Sequence, residues 1–351
     1  MIKLKKLLPM AALAVPLLAV SCAADAFEGS EGPTPGTGEN IRFENDLKPL
    51  TANGGTRGTV TTLATLNSYG VSAGVHNAST SYAEGQCGNY FRNVEVSAEN
   101  GETTYLWPAN GYEISFYAHS PYGNSYVSLA PASTAGRMRY TYTVPDAVSE
   151  HIDLMTAELL DIECPSSETV SLTFGHRLAD FRFRLENSTD HNVTVKSIAV
   201  KNFDHIGTLI GTSWTTTGEA KDITLSVEKN LASGSTMDLT GNDGHFMLIP
   251  QTVASGKRMI DLCINDGTSD VHFYSDLTQD FVAEMGKSYL FTLRLSSKLE
   301  VGDSSGIEDW VLYIGYLNYA TGTSASDWTP EDQSAEYVLA SISEWERENN
   351  D

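Results

Sequence analysis

The sequence predicts an all-β protein built as two antiparallel sandwiches, and three observations carry the prediction. Apolar and polar residues alternate along most of the chain from Ile41 to Leu299, the period of strands with one buried face. Turn-formers punctuate the alternating runs, at Asn110-Gly111, Tyr122-Gly123-Asn124, Asn242-Asp243-Gly244, Asp266-Gly267 and Met285-Gly286. No long amphipathic helix interrupts them, which argues for sandwiches and against βαβ units with a parallel sheet. The 351 residues exceed what one core usually holds, so two are expected.

Residues 1–22 read as an export signal. Lys3, Lys5 and Lys6 precede an apolar stretch, Leu7 to Val20, that is too short to span a bilayer. The stretch ends at Ser21-Cys22 and resembles a bacterial lipoprotein signal, in which the cysteine thiol takes a diacylglycerol and becomes the new N-terminus. Cys22 is thus the expected lipidation site. Ala19 stands where leucine is most usual, and a plain secretory signal cut near Ala23 or Ala24 is the alternative. Residues 23–41 read as an acidic flexible tether, with Asp25, Glu28, Glu31 and Glu39 among glycine, proline and threonine. Acids directly after a lipidated cysteine resemble the signal that sends Bacteroidetes lipoproteins to the outer face of the outer membrane.

Residues 42–187 are expected to form the first sandwich and residues 188–310 the second, divided at the polar cluster Glu186 to His191. Ile114, Phe116 and Ala118 share one strand face, as do Phe181, Phe183 and Leu185. The same holds for Ile223, Leu225 and Val227, for Ile260, Leu262 and Ile264, and for Tyr289, Phe291, Leu293 and Leu295. Residues 311–351 form an extension. Trp310 to Leu317 is an apolar, strand-like run. Thr329-Pro330-Glu331-Asp332 has the cap, proline and acids of a helix start. Ala335, Val338, Ile342 and Trp345 then recur at helical spacing, so a short C-terminal helix ending near Asn349 is expected. Glu344, Glu346 and Glu348 oppose the macrodipole of such a helix, and a short strand around Tyr337–Ile342 is the alternative.

The net charge is −23, and loss of Lys3, Lys5 and Lys6 with the signal takes it to −26. A surface of that sign repels phosphate backbones, so no nucleic-acid partner is expected. None of the histidines sits in an H-E-x-x-H pair, and there is neither a phosphate-cradling glycine loop before a lysine nor a G-x-S-x-G elbow. Asn265 to Asp270 reads as a turn rather than a calcium loop. No catalytic residues, cofactor or metal are expected. Trp107, Trp214, Trp310, Trp328 and Trp345 are read chiefly as packing, with a sugar-stacking platform as the alternative. Cys87, Cys164 and Cys263 lack metal or redox spacing. Cys87 and Cys164 fall in the same expected sandwich and are the candidate disulfide pair outside the cytosol; three buried thiols are the alternative.

Several segments in order resemble the fimbrillin family, whose members build or decorate type V pili in Bacteroidales. They are Thr56-Arg57-Gly58-Thr59, then Tyr105-Leu106-Trp107-Pro108, then Ile114 to Ala118 with Ser120-Pro121. Tyr142 to Pro145 with Asp153-Leu154-Met155, Leu172 to Phe174 with His176 and Leu178-Ala179, Phe246 to Gln251, and Gly286 to Tyr289 complete the series over about residues 42–310. The resemblance implies transthyretin-like sandwiches and a structural subunit of a surface fimbria supporting adhesion. It also implies assembly with other pilus subunits: an outer-membrane lipoprotein precursor loses its first strand to an Arg-specific protease, and the groove accepts a strand from the next subunit. Arg57 followed by Gly58 is the residue placed for that cleavage, in a Gly- and Thr-rich segment, and an ordinary loop arginine is the alternative. The strand to be released lies around Ile41–Leu50. The acidic tail departs from a stem subunit, which would end in a donor strand. A monomeric surface lipoprotein that binds a glycan or a host protein is the competing reading.

Overall fold

The computed structural model describes residues 35–45, 66–81, 87–134, 136–166, 169–241, 244–265, 267, 269–297, 310–319 and 345–347. The first strands are β1 (Pro35–Asn45), β2 (Ser68–Asn77), β3 (Phe91–Ser97), β4 (Glu102–Pro108), β5 (Tyr112–Ser120), β6 (Val127–Pro131), β7 (Met138–Thr143), β8 (Met155–Glu163), β9 (Val170–Leu172) and β10 (Gly175–His176). Then come β11 (Ala179–Asn187), β12 (Val193–Asp204), β13 (Ile206–Ile210), β14 (Ser213–Thr216), β15 (Ala220–Leu231), β16 (Thr236–Asp238) and β17 (Phe246–Leu248). The last are β18 (Gln251–Val253), β19 (Arg258–Asn265), β20 (Asp270–Asp276), β21 (Phe281–Ala283), β22 (Ser288–Ser297), β23 (Trp310–Tyr319) and β24 (Trp345–Arg347). The described residues contain no α-helix, only the 3-10 turn Val148–Glu150. None of their helices is long and apolar enough to cross a membrane.

The fold is all-β, as the alternation predicts. Two sheets enclose a first core: β4-β1-β9 and β10-β8-β5-β2-β3. Two more enclose a second: β16-β11-β22-β23, with β17 also on β11, and β15-β12-β19-β20-β24. The first core holds Ile41, Phe43, Val71, Phe91, Trp107, Phe116 and Phe174. Phe181, Phe183, Leu185, Ile198, Leu262 and Phe291 centre the second. The alternating faces read from the sequence are the ones buried: Phe181, Phe183 and Leu185 are fully enclosed, while Arg184 between them is exposed.

A further sheet, β14-β13-β7-β6, draws one hairpin from each half of the chain, because β7 pairs with β13 from Arg139↔Ile210 to Thr143↔Ile206. Its residues Met138, Tyr140 and Leu209 cluster with Cys87 and Tyr117. Strand β5 is thereby buried on both faces, where a half-buried strand is expected from its alternation. Ile114 and Phe116 point into the first core and Tyr117 into this smaller one.

Three expectations are corrected. Strand β1 starts at Pro35, within the segment read as tether; proline is tolerated as the first residue of a strand because no ladder donor is needed there. The divide expected at residues 187/188 falls earlier, because β11 belongs to the second core. The polar cluster there is a tight turn: the Asn187 amide donates to the His191 carbonyl (2.8 Å), and its oxygen accepts from the Thr189 hydroxyl (2.7 Å). The sheets are mainly antiparallel, as expected, with two parallel pairs: β11 with β22 from Asp180↔Ser288 to Asn187↔Leu295, and β1 with β9. Side-chain alternation records which face is buried and not the direction of the neighbour. Finally, the expected helix end is a strand, since Trp345–Arg347 pairs antiparallel with β20. An edge offers backbone partners, whereas an acid-rich helix C-terminus is disfavoured. The proposed helix start at Thr329 lies outside the described residues.

Candidate strand-exchange site

Strand β1 is the central strand of its sheet. On one side it runs antiparallel to β4, through Asn40↔Leu106 and Arg42↔Glu102; on the other it runs parallel to β9, through Phe43↔Val170, Glu44↔Ser171 and Asn45↔Leu172. Its side chains obey the period of two. Ile41 is 0% and Phe43 3% exposed, while Arg42 and Glu44 face outward. Burying two such side chains is worth about 3–6 kcal/mol together, at ~1.5–3 kcal/mol each. The Phe43 ring meets Phe116 edge-on at 5.2 Å, and Phe116 in turn meets Trp107 at 6.1 Å.

Hydrogen bonds fix the depth of β1. The Phe43 N–H donates to the Gly101 carbonyl at 2.9 Å, the Thr103 hydroxyl donates to the Ile41 carbonyl at 2.7 Å, and the Asn45 amide donates to the Ala98 carbonyl at 3.1 Å. Gly101 has φ +62°, and a Cβ there would overlap the carbonyl oxygen of Phe43. Only glycine combines that conformation with so close a backbone approach. The Arg42–Glu102 pair (3.4 Å) has both side chains more than half exposed, so it adds little. Without β1, strands β4 and β9 would each present an unpaired edge above an apolar floor formed by Trp107, Phe116, Val170 and Leu172, all of them buried core residues.

At the other end of the chain, β23 lies at the edge of its sheet, antiparallel to β22 in unbroken register from Ser288↔Tyr319 to Ser297↔Trp310. Its ten residues nearly match the eleven of β1.

Of the residues singled out in the sequence, Cys22, Arg57 and Gly58 lie outside the described residues. The segment carrying Arg57 connects β1 to β2. Cys87 and Cys164 are buried and free, in different apolar clusters, so the candidate disulfide is not formed. Burial pushes both thiols up to about 12, which leaves them inert. Cys263 is likewise buried and outside any disulfide. Trp107 is core and so offers no sugar platform, while the half-buried Trp214 donates its indole N–H to the Arg177 carbonyl at 2.8 Å. Trp328 lies outside the described residues. Asn265 and Asp270 are cross-strand partners of β19 and β20, and the Gly267 N–H between them donates to the Asn265 side chain at 2.8 Å. Asp153 and His176 form a buried pair at 2.8 Å. The roles of Gly101 and Thr103 were not legible, because they depend on which strand β4 faces; the Asn100-Gly101 turn pair was the available signal.

A family model described as fimbrillin-like matches residues 56–310. No curated protein matches the sequence. Among solved structures, a fimbrial protein from Bacteroides vulgatus is 15% identical, covers 83% of this chain and 99% of its own, and superposes with a TM-score of 0.57. A protein described as a cell adhesion protein from Bacteroides ovatus is 13% identical over 84% and 99% of the two chains, with a TM-score of 0.49. The fimbrial anchor protein Mfa2 from Porphyromonas gingivalis is 11% identical over 79% and 96%, with a TM-score of 0.36. At its level of identity the Bacteroides vulgatus structure shows a shared fold; the other two superpose more loosely.

Proposed function

The chain belongs to the fimbrillin-like family, and from that premise we propose that it is a structural subunit of a cell-surface fimbria, assembled by strand exchange. The observation that carries the reading is the position of β1. It is the central strand of the three-stranded sheet of the first sandwich, its core residues are Ile41 and Phe43, and it lies on the N-terminal side of Arg57. A cut between Arg57 and Gly58 leaves β1 held by noncovalent contacts alone. Its departure opens a groove with two strand edges and an apolar floor, the geometry that β-augmentation uses: main-chain bonds give affinity, and alternate side chains filling pockets give specificity. The strand offered to a neighbour is β23, which is paired on one side in the described fold.

In this reading the precursor is exported on a lipid at Cys22 and reaches the outer face of the outer membrane. Proteolysis then releases the anchor and β1 together, and the mature chain supports adhesion as part of the fimbria. The chain has no part in catalysis. Metabolic labelling with a palmitate analogue is expected to mark the wild type and not Cys22→Ala. Electron microscopy of surface-sheared material, with an antibody against this chain, is expected to decorate filaments. Decoration of cell envelopes alone, with no filaments, would favour the monomeric surface binder.

A further inference from the structure

We propose that the outer face of the β14-β13-β7-β6 sheet is a contact surface for a second copy of this chain. Its consequence, side-by-side contact between filaments, rests on the reading of the chain as a fimbrial subunit. The four strands pair without a register shift. Ser128↔Thr141, Thr141↔Thr208 and Thr208↔Thr215 set four hydroxyl side chains in one row across the sheet. Neighbours in such a row stand about 4.8 Å apart, the spacing of paired strands. The inner face is fixed by Met138, Tyr140 and Leu209, buried in one apolar cluster, and by Trp214, whose indole donates to the Arg177 carbonyl. Alternation therefore turns the hydroxyl row outward, with Ser128 and Thr215 exposed at its ends and Thr141 and Thr208 half-buried between them. Ala130, Arg139, Ile210 and Ser213 form the next row on one side, and Thr143 beside Ile206 begins the next on the other.

Three properties suit this face to its own copy. The first is charge. The four strands contain no aspartate or glutamate, and Arg139 is their one charged residue. The whole chain holds 45 acids among 351 residues and carries a net charge of −23. Two copies that meet through acid-bearing surfaces repel each other. Through this face they bring neutral side chains together and leave the like charges at the far sides of the pair, where salt screens them. The second is self-complementarity. A hydroxyl both donates and accepts, so a row of them bonds to its own two-fold mate, which a row of carboxylates or ammonium groups cannot do. The third is stiffness. Threonine and isoleucine have little χ1 freedom to lose on contact. Interfaces are also depleted in lysine, glutamate and aspartate and retain arginine, the composition found here.

The size of the face sets the strength of the contact. Four strands of about five residues cover roughly 300 Å², well under the ~800 Å² per partner of a lasting interface. A single contact is therefore weak, and dilute uncleaved chains are monomers. Repeated at every subunit of two adjacent fimbriae, the same contact acts at high effective concentration and holds the filaments side by side.

The test is a concentration series of the purified uncleaved chain, followed by sedimentation equilibrium and by NMR amide shifts at low and at high salt. Strand β1 is in place in that material, so strand exchange does not contribute and the result bears on this face alone. Self-association is expected with a Kd of roughly 1 mM, tighter at high salt, with shifts concentrated in β6, β7, β13 and β14. Ser128→Glu and Thr215→Glu change exposed positions on the two edge strands, where a charge leaves the fold intact, and each is expected to weaken association at least tenfold. Thr224→Glu, at an exposed position on β15, is expected to associate like the wild type. A single monomeric species at the highest concentration and salt would overturn the proposal. So would equal association of the wild type with both Ser128→Glu and Thr215→Glu, or shifts confined to another part of the chain.

Discussion

The first sandwich is completed by a strand from the chain's N-terminal side, set between β4 and β9. In the second, the corresponding central pair is β11 and β22, joined in parallel over eight positions, and the late strand β23 is added outside them. Loss of β1 therefore strips a sheet of its middle and bares core on two sides. Loss of β23 uncovers one edge and leaves the central pair intact. The second core is also cross-braced by charge. Burial alone would raise the Asp180 carboxyl, but His245 at 2.9 Å, Arg182 and the Ser288 hydroxyl outweigh it and hold the group below its ordinary range. The lesson is that separability depends on where a strand sits in the sheet order rather than on its length, since β1 and β23 are nearly equal.

Deleting residues 35–45 is the strongest way to probe this difference. Hydrogen exchange is expected to collapse in β2, β5 and β8 while β11, β12, β19 and β22 stay protected, and a peptide of residues 35–45 added in trans is expected to restore it. Loss of protection throughout would mean that the two cores are one cooperative unit. Gly101→Ala comes next, because the new Cβ cannot coexist with the Phe43 carbonyl; the same local loss of exchange protection is expected, nearly as large as for the deletion. Phe43→Ala and Phe181→Ala are each expected to cost about 3–5 kcal/mol by denaturant titration, from lost burial plus a cavity. Only Phe43→Ala should loosen β1 and accelerate subunit association after cleavage.

Acid separates the regions further. Burial lowers His119, in the first sandwich, and His151, in the connection between β7 and β8, to about 4 from 6.5. The unfolded chain takes up these protons first, so stability is full above pH 6.5 and falls as the pH drops from 6.5 to about 4, below which the folded groups protonate as well, for a loss of roughly 3 kcal/mol per group. Asp180 has the opposite charge logic: its contribution is present above the ordinary carboxylate value near 3.8 and disappears only as the pH falls through its lower folded value. Denaturant midpoints between pH 7 and pH 4 should therefore decline, and His119→Phe should flatten the decline. Equal slopes in wild type and variant would contradict the assignment. The smallest effect is expected for Arg42→Ala, within about 0.5 kcal/mol, because its ion pair is exposed.

The strand faces were legible because burial imposes a period of two on the residues themselves, as at Phe181, Phe183 and Leu185. What was not legible depends on pairing across long sequence separations. The Asn187 turn reads as a linker until β22 is seen beside β11, more than a hundred residues later. Residues 35–41 read as tether, since glycine and proline mask a strand whose partner lies some sixty residues on.

The central claim is that β1 leaves and is replaced, and the most direct measurement combines cleavage with mass. Purified protein is treated briefly with trypsin, the new N-terminus is read, and molecular mass is followed by light scattering. A chain beginning at Gly58 is expected to grow into oligomers, with growth suppressed by excess peptide of residues 35–45, while uncleaved protein stays monomeric. Resistance of Arg57 while other sites are cut, or a product beginning at Gly58 that stays monomeric even with a partner subunit added, would contradict it.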